Sequence, residues 1–155
     1  MAEFFVELFS NRVLIGGLVG WFVAQVLKMI LYSIINKTIN WERMIGDGGM
    51  PSAHSATVSS MAMTSALIYG VGSFEFAVTT MLATIVMHDA MGVRLETGKQ
   101  AKILNEMIAL FEELGKPQVS AEKKLKEFVG HTPFQVLCGM ILGMLIALGL
   151  NAWVY

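Results

Sequence analysis

Four apolar runs, separated by polar connections, dominate the chain. The first extends from about Val13 to Ile35 and is interrupted only by Gln25 and Lys28. At about 1.5 Å per helical residue it covers a hydrocarbon core of about 30 Å. The second, about Ser55 to Val71, is shorter and rich in Ser, Thr and Ala. The third runs from about Phe74 to Val93, with His88 and Asp89 near its end. The fourth, Phe134 to Val154, is apolar apart from Gln135 and Asn151. Alone, the second run also reads as a buried helix of a soluble bundle. Its three companions are long enough to span, so the pattern predicts an all-α integral membrane bundle with about four transmembrane helices, in a single domain over residues 1–155.

The connection at about 94–131 has a pattern of its own. From Gly98 to Leu114, apolar residues at Ile103, Met107, Leu110, Phe111 and Leu114 recur at helical spacing. This predicts an amphipathic helix on the membrane surface or over a site, stopped by Gly115-Lys116-Pro117. A second short helix is expected over Ser120–Phe128, with Ser120 as N-cap. Lys123, Lys124 and Lys126 near its end are either a solvated face and topology signal or an attraction for anionic headgroups.

Composition supports the membrane reading. Of 155 residues, 55% are hydrophobic and only 15% charged, against about 25% charged in a soluble domain. Mean hydropathy is +0.61. A net charge of −1 offers no basic field for nucleic acid. The single cysteine, Cys138, lies in an apolar run and reads as packing, as do the twelve methionines. No charged leader with a small-residue cleavage site opens the chain, so the first run reads as a retained anchor.

Basic residues predict an orientation. Arg94, Lys99, Lys102, Lys116, Lys123, Lys124 and Lys126 fall in one connection, and Lys37 and Arg43 in another. The turn near Gly70–Ser73 has neither Lys nor Arg. By the positive-inside rule both basic connections are cytoplasmic and both termini lie opposite, where Trp153 and Tyr155 would anchor the last span. The expected location is the cell (plasma) membrane, with His54, Arg94 and His131 together on its cytoplasmic side.

Two segments carry candidate chemistry. Gly48-Gly49-Met50-Pro51-Ser52-Ala53-His54-Ser55-Ala56 sets a histidine and two serines at the start of an apolar helix. A helix start attracts anions because its first N–H groups are unpaired and its dipole end is positive. Gly130-His131-Thr132-Pro133-Phe134-Gln135 repeats the arrangement before the last run. Two histidines at the mouths of apolar helices point to phosphate chemistry at a membrane surface; the plainer reading of each is capping and interfacial packing.

Pro51-Ser52-Ala53-His54 resembles the PSGH signature of the type 2 phosphatidic acid phosphatase (PAP2) superfamily. Gly130-His131-Thr132-Pro133-Phe134-Gln135-Val136 with Gly139 resembles its last motif. With Met87-His88-Asp89-Ala90-Met91-Gly92-Val93-Arg94 and Gly98-Lys99-Gln100-Ala101, the chain from about Gln25 onward is similar to the small divergent PAP2 family. The resemblance implies a metal-independent phosphatase without cofactor, acting on a phospholipid or a prenyl phosphate or diphosphate. By motif, His131 would be the nucleophile that becomes phosphohistidine and His54 the general acid. Ser52 and the amides around Ala53 would hold phosphate oxygens. Histidine suits both catalytic roles because its pKa lies near working pH.

The departures from the superfamily pattern are informative. The arginine expected six residues before the nucleophile is Leu125, with Arg94 the substitute and Lys99 a second candidate. The first motif, a lysine followed by Arg-Pro, is absent; Lys28 either supplies that lysine or snorkels to the interface. Gln135 replaces the aspartate that orients the nucleophile, and Asp89 either supplies the missing carboxylate or pairs with Arg94 or Lys28. These departures keep a second function open, a catalytically weakened lipid-phosphate binding or carrier protein, and a third, a structural scaffold. Gly16-xxx-Gly20 and Gly139-xxx-Gly143 are small-residue pairs that serve either a homodimer interface or packing within one chain.

Overall fold

Ser and Asn residues set where the apolar runs become helices. A computed structural model describes residues 1–38, 48–114, 125 and 130–153, and these are all-helical apart from turns. The elements are α1 (Ala2–Ser10), α2 (Arg12–Asn36), α3 (Ala53–Tyr69), α4 (Phe74–Met91), α5 (Val93–Glu113) and α6 (Pro133–Trp153). Asn11, Ser52 and Ser73 cap α2, α3 and α4 by accepting from the backbone N–H of Leu14, Ser55 and Phe76. Each such cap contributes about 1 kcal/mol. Gly70 closes α3 at φ 83°, a left-handed conformation that suits glycine.

α3 is the centre of the bundle and packs against α2, α4 and α6. Its buried side chains are small: Ala53, Ser55, Ala56, Val58, Ser59, Ser60, Thr64 and Ser65. Both glycine pairs face it. A Cβ on Gly20 would stand 3.0 Å from the Ala56 carbonyl and 3.1 Å from Ser60 Cβ. From the opposite side, a Cβ on Gly143 would collide with the same carbonyl and approach Ser60 N at 2.9 Å. The Ala56–Ser60 turn is thus clasped between two glycine faces, and Ser60 Oγ donates to the Gly16 carbonyl at 2.8 Å. The glycine faces are therefore occupied inside the chain, which removes them as the surface on which a second copy would pack.

Three stretches are long and apolar enough to cross a membrane: Arg12–Asn36, the run Phe74–Phe111 and Pro133–Trp153. α3 is the fourth, more polar member. With neighbours on three sides, its hydroxyls face other helices, where small residues permit close approach. The molecule is an integral membrane bundle of about four transmembrane helices.

Two elements differ from the sequence-based expectation. α1 precedes the first span and is amphipathic, with Phe4, Phe5, Val6, Leu8 and Phe9 all exposed. The amphipathic helix of the connection begins at Val93 rather than Gly98, directly after the α4 C-cap at Gly92, and among the helices it packs only against α4. It therefore does not lie over α2 or α3. Leu125 returns to it, exchanging two 3.0 Å backbone hydrogen bonds with the Asn105 side chain. The stop at 115–117, the short helix over 120–128, Arg43 and Tyr155 lie outside the described residues.

Candidate active site

Four helix ends meet at one end of the bundle: the C-terminal part of α2, the start of α3, the end of α4 and the start of α6. Two backbone hydrogen bonds tie α3, α4 and α6 there, and a third close contact sets α5 beside them. Ser52 N–H donates to the Gln135 carbonyl at 3.2 Å, joining the mouths of α3 and α6. His131 N–H donates to the Ala90 carbonyl at 3.0 Å, joining α6 to α4. Gly130 rests on the backbone of Arg94 and Leu95 so closely that any Cβ there would collide. Glycine at 130 is required by that close approach.

The α6 mouth is a capping box. Thr132 Oγ1 accepts from Gln135 N–H at 3.3 Å, and Gln135 Oε1 accepts in return from Thr132 N–H at 3.1 Å. Pro133 fills the first helical position, where a missing N–H costs nothing. The same Gln135 oxygen stands 3.3 Å from His131 Nδ1. Because that oxygen already accepts from Thr132, it is the carbonyl end of the amide, and Nδ1 must carry the proton. Nε2 is left with its lone pair.

His131 is only 2% exposed. Its ring centroid lies 6.2 Å from that of His54, edge to face at 62°. Burial holds the His131 pKa below the usual 6.5; the charges of Lys28 and His54 push the same way, while Gln135 and the Gly49 backbone oppose. The ring is therefore neutral at pH 7. Lys28 is buried at 5% exposure within α2. Its stem runs beneath Gly49, whose Cβ would stand 3.4 Å from Lys28 Cγ and Cδ. Gly48 and Gly49 adopt φ of 80° and 85°, a left-handed pair that lets the loop fold over the lysine. A charge within a span is costly unless paired or put to use.

Ser52 is fully buried and caps α3; its Oγ accepts from both Ser55 N–H at 3.3 Å and Ser55 Oγ at 2.9 Å. Its own O–H thus remains available to donate. Ala53 is buried in the first turn and packs with Ala24 and Ala56. The contacts bring together His131, His54, Gln135, Ser52, Ala53 and Lys28.

Asp89, Arg94 and Lys99 are arranged differently. Arg94 Nε donates to Asp89 Oδ2 at 2.6 Å, both side chains about two-fifths exposed. The Asp89 carboxylate is thus engaged by arginine, and the group on His131 Nδ1 is Gln135 instead. Lys99 binds Glu96 one turn away on the exposed face of α5, at 2.7 Å. Gln25 was read only as an interruption of the first run, yet it is buried with its Oε1 unpartnered among the described residues. An amide inside an apolar span was the available signal.

The sequence profile of the divergent PAP2 family matches residues 9–146. The chain belongs to the divergent PAP2 family. It is 37% identical over 151 residues to the uncharacterized membrane protein YuiD of Bacillus subtilis (strain 168), covering 92% of this chain and 96% of that protein. No solved structure matches. In this divergent PAP2 chain the two motif histidines lie edge to face across coupled helix starts, with Gln135 against His131 Nδ1.

Proposed function

We propose that this protein is a phosphatase of a lipid phosphate or isoprenoid diphosphate, working through phosphohistidine at the cytoplasmic face of the cell membrane. The observation that carries the reading is the His131–His54 pair, 6.2 Å apart between ring centroids, in which Gln135 stands against His131 Nδ1. Nε2 attacks the terminal phosphorus as its bond to the leaving oxygen breaks (the lipid oxygen of a monophosphate, the bridging oxygen of a diphosphate), and His54 gives that oxygen a proton. Water then attacks phosphorus, the P–N bond breaks, and His54 takes the water proton. Orthophosphate leaves and both histidines are restored. Phosphoryl transfer depends mainly on placement and charge stabilisation. Lys28, the Ser52 hydroxyl and the α3 first-turn amides supply these, with Arg94 and Lys99 as further candidate cations. The mechanism implies no metal.

A second reading follows from Gln135 and the Asp89–Arg94 pair. A neutral amide stabilises an imidazolium less than a carboxylate does, which favours a lipid-phosphate binding or carrier protein. Phosphate release from a panel of phosphatidate, phosphatidylglycerophosphate and prenyl diphosphates, with chelator present, separates the two. Release that falls to background in His131→Ala, a loss on the order of a millionfold as for removal of a covalent nucleophile, supports the phosphatase. Headgroup binding without release from any of them supports the carrier.

A further inference from the structure

Gln25 sits in the middle of the first span, 7% exposed, and its Oε1 has no hydrogen-bond partner among the described residues. A buried acceptor left without a donor is costly. The buried hydroxyls of Ser59, Thr64, Ser65 and Thr80 also lack partners. A hydroxyl can turn to the carbonyl one turn back in its own helix, an exit that the longer, flat glutamine amide does not have.

Register places Gln25 beside the histidine site. Gly20 meets Ala56, Ala24 packs with Ala53, and the Lys28 stem runs beneath Gly49. α2 and α3 are therefore antiparallel, and Gln25 comes level with the first turn of α3. The side is fixed as well. Gly17 faces Thr57 and Met61, and Lys28 continues the Gly17 stripe of α2 at 3.6 residues per turn. Gln25, one turn before Lys28, lies on the flank of this stripe away from Gly20, and hence away from α6. On α3 the matching stripe is Met61, Thr57 and His54. Gln25 thus stands on the His54 side of the bundle, one turn deeper than Lys28.

We infer that the Gln25 carboxamide oxygen holds the water that cleaves the His131 phosphate. This role rests on the phosphatase reading and supplies the positioning group of its second step. The chemistry of the orphan atom selects the ligand. A carbonyl oxygen accepts and cannot donate, so it does not bind phosphate oxygens, which are acceptors too. The donor that the reaction brings to this side is water. Displacement at phosphorus runs in line, so water enters opposite His131 Nε2, where the leaving oxygen took its proton from His54. One water O–H donates to Gln25 Oε1, and the other proton passes to His54. The water oxygen bonds to phosphorus, the P–N bond breaks, and its electron pair returns to Nε2. Gln25 takes no proton and acts only through the water. A buried water needs two to four polar partners, and Gln25, His54 and the phosphate supply them.

Gln25→Met keeps the length of the side chain and removes the acceptor. The whole protein in detergent is given phosphatidate, phosphatidylglycerophosphate or a prenyl diphosphate labelled in its terminal phosphate, and rapid alkaline quench follows the phosphate on His131. In Gln25→Met this phosphate should form at the wild-type rate and decay roughly a hundredfold more slowly, the scale on which a misplaced reactant acts. It should therefore accumulate. Exchange of oxygen between inorganic phosphate labelled with oxygen-18 and water runs the same step in both directions, and it should slow by the same factor without any lipid. The variant should melt no lower than the wild type, since it loses an unpaired buried acceptor. Decay at the wild-type rate overturns the inference. Formation and decay slowed together, with or without a lower melting temperature, overturn it too, because Gln25 then serves the fold or phosphate binding rather than water. A wild-type protein that forms no His131 phosphate from any of these lipids and exchanges no oxygen removes the phosphatase reading itself, and this role with it.

Discussion

Gln135 connects the fold to the chemistry through one oxygen. It completes the α6 capping box and fixes the His131 tautomer at once. The burial that lowers the His131 pKa favours the free base, so the nucleophile remains unprotonated below the usual 6.5. The acid limb of kcat/KM is therefore expected below about pH 6.5 where His131 governs it. Gln135→Glu keeps the cap and adds a carboxylate beside Nδ1, which stabilises the imidazolium. The limb should move to higher pH, and a pH–rate profile of the two proteins measures it; an unmoved or lowered limb would remove Gln135 from the site. His131, His54 and Ser52 were legible in the sequence because their motifs sit at helix starts. The engagement of Asp89 by Arg94 was open, because sequence spacing permits several partners and only the turn at Gly92 brings these two together.

At the scale of elements, α3 exists as a membrane helix because glycines on α2 and α6 let backbones approach it closely. Gly143→Val drives a branched side chain into the Ala56 carbonyl and should cost about 1–3 kcal/mol or more. Gly72→Ala meets nothing within 4 Å and should change stability by less than about 0.5 kcal/mol. Thermal unfolding in detergent compares them. The spans were readable from apolar runs, since length and hydropathy suffice for α2, α4 and α6. The small-residue pairs were readable too, but not their partner: packing within the chain and packing between copies use the same spacing. α1 was missed because it is short, and its Phe4–Leu8 and Phe5–Phe9 spacings were outweighed by the longer run beyond Asn11. The start of α5 was missed because Gly92 marked a break without showing that a helix resumes at once.

For the whole molecule, the up-and-down order of α2, α3, α4 and α6 brings the glycine loop, the α4 end and the α6 start to one membrane face. Lys37 at the α2 C-cap and Arg94 in the first turn of α5 flank that face, and the orientation we propose from the positive-inside rule turns it to the cytoplasm. In a Cys138→Ala background, Thr97→Cys should react with an impermeant thiol reagent only after the cells are opened. Gly72→Cys should react in intact cells; the reverse pattern would invert the orientation. The central claim is that two helix mouths form one phosphoryl-transfer site. The most direct measurement is alkaline quench of the protein turning over lipid substrate labelled in its terminal phosphate. The account predicts an alkali-stable, acid-labile phosphate on His131 that is absent from His131→Ala and slower to form in His54→Ala. Phosphate release that continues in His131→Ala, or a phosphate attached elsewhere, would contradict it.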